Sequence, residues 1–213
     1  MQVRVVPVTP FQQNCSIVSC TQTGKGAVVD PGGDLDQVLA ACDEAGVELE
    51  KILLTHAHID HAGATARLSR QRGLPIEGPH REDDFLIQSL PVQAQMFGIG
   101  GDSESFTPDR WLADGDEVTV GEVRFEVRHC PGHTPGHVIF FAPEHKIAIV
   151  GDVLFHGSIG RTDLPRGDHA TLLRSIADKL LTLDDDVTFL PGHGPTSTIG
   201  AQRRSNPFLQ DIR

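Results

Sequence analysis

The chain has 213 residues, 38% of them hydrophobic and 22% charged, which is the usage of a folded protein and excludes a disordered one. A chain of this length fits one domain, residues 1–213, able to bury roughly 70% of its extended surface without covalent staples. The net charge of −11 opposes nucleic-acid phosphates, and no apolar run approaches the ~18 residues of a membrane span.

Valine-rich Gln2–Val8 reads as a strand, followed by shorter strands at Cys15–Cys20 and Ala27–Asp30. Pro31-Gly32-Gly33 is a turn, and Asp34 with Gln37 three residues later predicts a capping box for a helix. That helix carries Leu35, Val38, Leu39 and Cys42 at helical spacing and stops at Gly46. Lys51–Leu54 is a buried strand running into a histidine cluster, and a helix follows over about Ala64–Arg72. The stretch from Arg81 to Gly101 reads as helical at first, with a break at Pro91 and a glycine-rich end. Glu117–Arg128 is a hairpin around Gly121, with Val123, Phe125 and Val127 alternating with charged residues. His137–Phe141 and Lys146–Val150 pair as strands, Asp168 caps a helix through Leu180, Val187–Leu190 is the last strand, and a short helix starts near Ser197. Strands lead each half and helices follow, which predicts an α/β fold of two sheets between helices.

Four cysteines (Cys15, Cys20, Cys42, Cys130) match no zinc-ribbon or redox spacing. Met1–Pro7 reads as a strand, without the pattern of a secretory or transit segment. Reduced thiols and a cytoplasmic location are therefore expected.

The chemistry is concentrated in Thr55-His56-Ala57-His58-Ile59-Asp60-His61, at a strand end. In extended chain, His56 and His58 point the same way and can share one metal ion. Asp60 and His61 open the next helix, aim from another direction, and suit a second ion roughly 3.5–4 Å from the first. Three later segments repeat one form, a strand end and a turn with a ligand-type side chain at the break: Cys130-Pro131-Gly132-His133, Val150-Gly151-Asp152 and Leu190-Pro191-Gly192-His193-Gly194. Adding His133, Asp152 and His193 gives five histidines and two aspartates, which one bridging carboxylate and three further ligands per ion accommodate. His80, His129, His145, His156 and His169 carry no such pattern and read as ordinary capped or solvated histidines.

This constellation resembles the signature of metallo-β-lactamase-fold hydrolases, and Gly132–His137 with Pro191–Gly194 looks most like glyoxalase II, the hydroxyacylglutathione hydrolases. Gly157–Asp163 resembles the corresponding segment of short, single-domain bacterial members. The resemblance implies an αββα sandwich with metals at one edge between two mixed sheets. It implies His56, His58 and His133 on the first ion, Asp60, His61 and His193 on the second, and Asp152 as the bridge. Two divalent ions are expected, zinc first, with iron or manganese also suited to imidazole and carboxylate. The implied nucleophile is a metal-bridging hydroxide, with Asp60 and Asp152 in catalytic positions, attacking S-D-lactoylglutathione to give glutathione and D-lactate. Arg161 is the candidate for a substrate carboxylate. His137 either orients a ligand or the substrate or is a core residue; Cys130 is read as structural.

Long glyoxalases II add a helical domain that contacts glutathione, partly through tyrosines. Here about twenty residues follow His193 and there is no tyrosine, so a broader thioesterase is an alternative. A persulfide dioxygenase with one iron shares the motif and Gly160–Asp163, but those enzymes tend to lack a histidine at the position of His137. A lactonase would be expected to use a tyrosine near the metals. A β-lactamase would be expected to lack the histidine at His61. The partner expected is a small glutathione thioester, with neither nucleic acid nor membrane; oligomeric state is unreadable.

Overall fold

Alternation along the strands sorts the apolar residues into three layers. On the third strand Val28 faces one core while Ala27 and Val29 face another, and on the eighth Val138 and Phe140 face the inner core while Ile139 and Phe141 face outward. Strands buried on both faces read as unbroken apolar runs, which is why Val138–Ala142 shows no polar position. The computed structural model describes residues 1–99 and 103–210.

Five strands form the first sheet: β1 (Gln2–Val8), β2 (Gln13–Ser19), β3 (Lys25–Val29), β4 (Glu48–Leu53) and β5 (Ile76–Glu77), in that order. The second sheet has six, drawn from β6 (Glu117–Val120), β7 (Val123–His129), β8 (Val138–Ala142), β9 (Ile147–Gly151), β12 (Thr188–Pro191) and β13 (Ser197–Thr198) in the order β13-β12-β9-β8-β7-β6. A ribbon of β10 (Leu154–Phe155) and β11 (Ser158–Ile159) stands apart. Both sheets are mixed: β3 runs parallel to β4, and β9 to β12, while the hairpin partners are antiparallel. The helices are α1 (Leu35–Glu44), α2 (Ile59–Ala62), α3 (Thr65–Arg72), α4 (Asp84–Gln88), α5 (Leu90–Phe97), α6 (His169–Ser175) and α7 (Ile199–Ser205).

The apolar faces of α1, α3 and α4 close the first sheet; Phe125, Phe140 and Val127 meet Val18, Val29 and Leu53 between the sheets; Leu172 of α6 and Ile199 of α7 close the second. This is the αββα sandwich. A fully buried side chain such as Phe140 contributes about 1.5–3 kcal/mol through its removal from water.

Three local expectations are corrected. Asp34 does not form a capping box: it is left-handed at φ 47°, and its carboxylate accepts the Thr9 N–H at 2.7 Å instead. Pro91 does not break a helix. The break falls at Ser89, and Pro91 lies in the first turn of α5, where its missing N–H costs nothing. The helix begun at α6 ends in a π-helical turn, Ile176–Leu180. The Asp168 cap is present, accepting the Thr171 N–H at 2.7 Å. The glycines Gly100 and Gly101 lie outside the described residues. Among the described residues no helix is long and apolar enough to cross a membrane.

Candidate metal centre

Parallel strands deliver their C-terminal ends to one edge of the sandwich. Leaving β4, the chain enters Thr55–His61; β7 leads to His133, β9 to Asp152 and β12 to His193. The edge is stitched across the sheets, with Val138 N–H donating to the Thr55 carbonyl at 2.8 Å and Asn14 N–H to that of Gly192 at 2.7 Å.

All seven residues named for metal binding meet there, in two adjoining groups. In the first, His56 Nε2 lies 3.1 Å from His58 Nδ1, which lies 3.0 Å from His133 Nε2. In the second, His193 Nε2 lies 3.1 Å from Asp60 Oδ2, and His61 Nε2 is 3.8 Å from the same oxygen. Asp152 faces both groups: Oδ2 is 3.6 Å from His133 Nε2 and 3.7 Å from His193 Nε2, and Oδ1 is 3.3 Å from His61 Nε2.

The hydrogen bonds on the far side of each ring decide where the protons sit. His133 Nδ1 is 2.7 Å from the Arg161 carbonyl and His193 Nδ1 is 3.2 Å from that of Phe11. A carbonyl only accepts, so both Nδ1 atoms are protonated. His61 Nδ1 meets the Asp30 carboxylate at 3.0 Å. His56 Nδ1 meets Thr55 Oγ1 at 3.1 Å, and that hydroxyl donates its own proton to Asp30 at 2.6 Å. Four imidazoles therefore present bare Nε2 atoms inward. His61 Nε2 and Asp152 Oδ1 face one another at 3.3 Å in the buried interior, and with His61 neutral both are acceptors without a partner. Convergent acceptors of imidazole and carboxylate type fit a divalent cation.

Electrostatics show a proton and a cation competing for the same place. Burial holds His56 well below its ordinary value, helped by neighbouring His61 and His137. Burial also opposes charge on His61, but the Asp152 and Asp60 carboxylates outweigh it and push this imidazole well up. Asp152 is held far below the usual carboxylate range, because His61, His133 and His193 overcome its desolvation.

The groups open on a cleft of about 450 Å³. Its wall is apolar: Phe11, Phe97, Phe155, Ile59, Ile159 and Leu164. Phe11 and Phe97 meet edge to face, ring centres 6.0 Å apart.

The two residues named for substrate contact are placed differently. His137 does not line the cleft: it is fully buried, stacked on His56 at 4.7 Å, and its Nε2 accepts the Asp152 N–H at 3.1 Å. From the core it holds the backbone of Asp152. Arg161 does line the cleft, but its guanidinium is paired with both oxygens of Asp163 at 2.7 Å, and its carbonyl orients His133. Cys130 is buried, and burial pushes its thiol far up, which makes it inert. His80, Glu82 and His129 also approach one another near the surface, but the two rings stack 25° from parallel, so their in-plane lone pairs do not converge.

Asp30, Thr55, Asp83, Gln93 and the three phenylalanines were not found from sequence. Asp30 had a usable signal: it ends a strand at a Pro-Gly-Gly turn, the form that marked Asp152 and His193. Gln93 holds the Ile59 N–H at 3.0 Å from α5, with no local pattern to betray it.

A family model described as the metallo-β-lactamase superfamily matches residues 8–193. The chain is 47% identical, over 98% of both chains, to hydroxyacylglutathione hydrolase GloC of Haemophilus influenzae. Among solved structures it is similar to TTHA1623 in a di-iron-bound form, with 38% identity and a TM-score of 0.87 over 97% of this chain and 100% of that one. It is also similar to BLEG-1, described as a B3 metallo-β-lactamase, with 33% identity and a TM-score of 0.89 over 98% and 100%.

Proposed function

The chain belongs to the metallo-β-lactamase superfamily, and on that premise we propose that it is a metal-dependent thioester hydrolase, converting S-D-lactoylglutathione and water to glutathione and D-lactate. The observation that carries the reading is the pair of donor groups sharing Asp152, with inward lone pairs fixed by obligate acceptors behind them.

In this reading His56, His58 and His133 hold one divalent ion, Asp60, His61 and His193 hold another, and Asp152 serves both. Such ions supply a water acidic enough to ionise near neutral pH and a Lewis acid for the thioester carbonyl. The protein's part is orientation. Thr55, Asp30 and the carbonyls of Arg161 and Phe11 hold the rings of His56, His61, His133 and His193 in one tautomer, and His137 holds the backbone of Asp152. The aromatic wall strips water from the apolar part of the substrate, and Arg161 stands at the rim to receive a carboxylate, exchanging Asp163 for it. A thiolate leaves without protonation, so the site needs no dedicated general acid. Zinc is the first choice of metal; the di-iron form of TTHA1623 supports iron as the alternative.

The test is one preparation examined twice. Elemental analysis is expected to give two ions per chain, and S-D-lactoylglutathione to release thiol at a rate abolished by chelation. Full turnover after exhaustive chelation would refute the proposal. Cleavage of other thioesters only would keep the chemistry and change the substrate, while oxygen uptake with glutathione persulfide would favour a dioxygenase. The likeness to BLEG-1 makes a β-lactam the second substrate class to assay.

A further inference from the structure

The Gly132–His137 segment contains two residues that the chemistry above does not use, Thr134 and Gly136. Both point at Asp83, a carboxylate on the turn before α4 with no exposed surface. Thr134 Oγ1 donates to its Oδ2 at 2.9 Å, and Gly136 N–H to its Oδ1 at 2.6 Å. The third donor is the N–H of Ala57, at 3.1 Å from Oδ2. Ala57 is the residue between His56 and His58, and Thr134 follows His133. The three donors thus come from the two loops that carry the three imidazoles of the first group.

The fit is close on the backbone too. Gly136 accepts the His80 N–H at 3.0 Å, and a Cβ at Gly136 would stand 2.5 Å from Asp83 N and 2.6 Å from the His80 carbonyl. Only glycine lets the two segments approach this far. Asp83 also receives no bond from a donor imidazole, unlike Asp30, which bonds His61 directly.

We propose that Asp83 is a positioning residue that sets the separation of the His56–His58 loop from the His133 loop, and so the affinity of the first donor group for its cation. The inference rests on reading that group as a metal site. Carboxylate geometry explains why no close relative of the side chain suffices. Asparagine must turn its NH₂ toward either the Gly136 N–H or the Ala57 N–H, leaving one backbone donor facing another in a dry interior.

The experiment uses the full chain and Zn²⁺, with affinity read by competition with a chromophoric chelator at pH 8. His193→Ala leaves the first group as the intact one, and His133→Ala leaves the second. In the His193→Ala background, Asp83→Asn is expected to weaken zinc binding about tenfold, the lower end of what losing a direct partner of a ligand costs. In the His133→Ala background it is expected to change affinity less than about threefold. Co²⁺ substitution should show the same split as an altered visible spectrum for the first group only. Thr134→Val keeps both backbone bonds and should give a smaller loss in the same background, which keeps the test alive if Asp83→Asn folds poorly. Val38→Ala, which opens the core beneath α1, should lower melting temperature without moving either affinity. Equal affinities with and without Asp83→Asn, or equal losses in both backgrounds, overturn the inference. A wild type that takes up no zinc overturns the reading of the site as well, so the two failures are distinguishable.

Discussion

Asp83 also gives a pH dependence whose sign can be worked out. Burial pushes its carboxyl up to about 7; the bonds from Thr134, Gly136 and Ala57 pull the other way without cancelling it, and Glu82 adds a like charge nearby. In the unfolded chain the same group titrates near 3.9. Between those values the folded state holds a proton that the unfolded state has released, so stability is greatest below about 4 and falls as pH rises through 7. The full interval corresponds to about 4 kcal/mol. For a chain of this size that is about 8–16 °C in melting temperature. Asparagine has no proton to lose. The melting temperature of metal-free wild type minus that of Asp83→Asn should therefore shrink, or change sign, between pH 4.5 and 8. The neighbouring His80, and His56 and His58 flanking Ala57, are present in both proteins, so their own protonation largely cancels in the difference. A difference that stays flat, or grows with pH, would mean that the three donors outweigh desolvation and the argument fails.

Three further outcomes are expected. Gly192→Ala places a Cβ against Asp152 Oδ1 and His61 Cε1, so bound metal and thiol release should both fall at least tenfold; unchanged metal content would contradict the assigned approach. Phe97→Ala removes part of the apolar cleft wall, worth about 1–2 kcal/mol of substrate contact, and should raise KM about five- to thirtyfold with little change in kcat; a fall in kcat at constant KM would place Phe97 elsewhere. Among the thiols, hydrogen bonds from Thr23 and the backbone of Glu122 lower Cys20 to about 7, while burial pushes Cys42 up to about 11 and also raises Cys15 and Cys130. All four thiols are buried, so reaction waits on local opening; with iodoacetamide at pH 8 and mass spectrometry, Cys20 should be modified before Cys130, and the reverse order would contradict the assignment.

What the sequence made legible is what depends on near neighbours. His56 and His58 could be placed on one side of the chain because strand geometry has a period of two, and the turn glycines marked where His133, Asp152 and His193 leave their strands. The roles that escaped notice act across long separations. Asp34 looked like a helix cap until Thr9, 25 residues earlier, took its carboxylate. Asp83 holds groups 26 and 53 residues away, and Phe11 reaches His193 from 182 residues away. No local pattern encodes such partners. His137 was ambiguous for a related reason: the residue it serves, Asp152, lies just past the end of another strand, 15 positions on.

These distant partners explain why the site can exist at all. Bare imidazole nitrogens and a carboxylate crowded within a few ångströms repel one another, and an apolar core would not retain them. Carbonyls and buried carboxylates recruited from other loops prevent the rings from turning away or taking a second proton, so the repulsion is stored rather than relaxed. The two Asp83-bound loops and the Asn14 stitch to Gly192 and Pro191 hold the edge of both sheets against it. A site whose outer contacts orient four of its five rings while the inner atoms crowd one another suits a guest of opposite charge. On that argument metal uptake and edge rigidity are one property, and loosening either sheet's contribution should weaken the grip on the ion before it unfolds the protein.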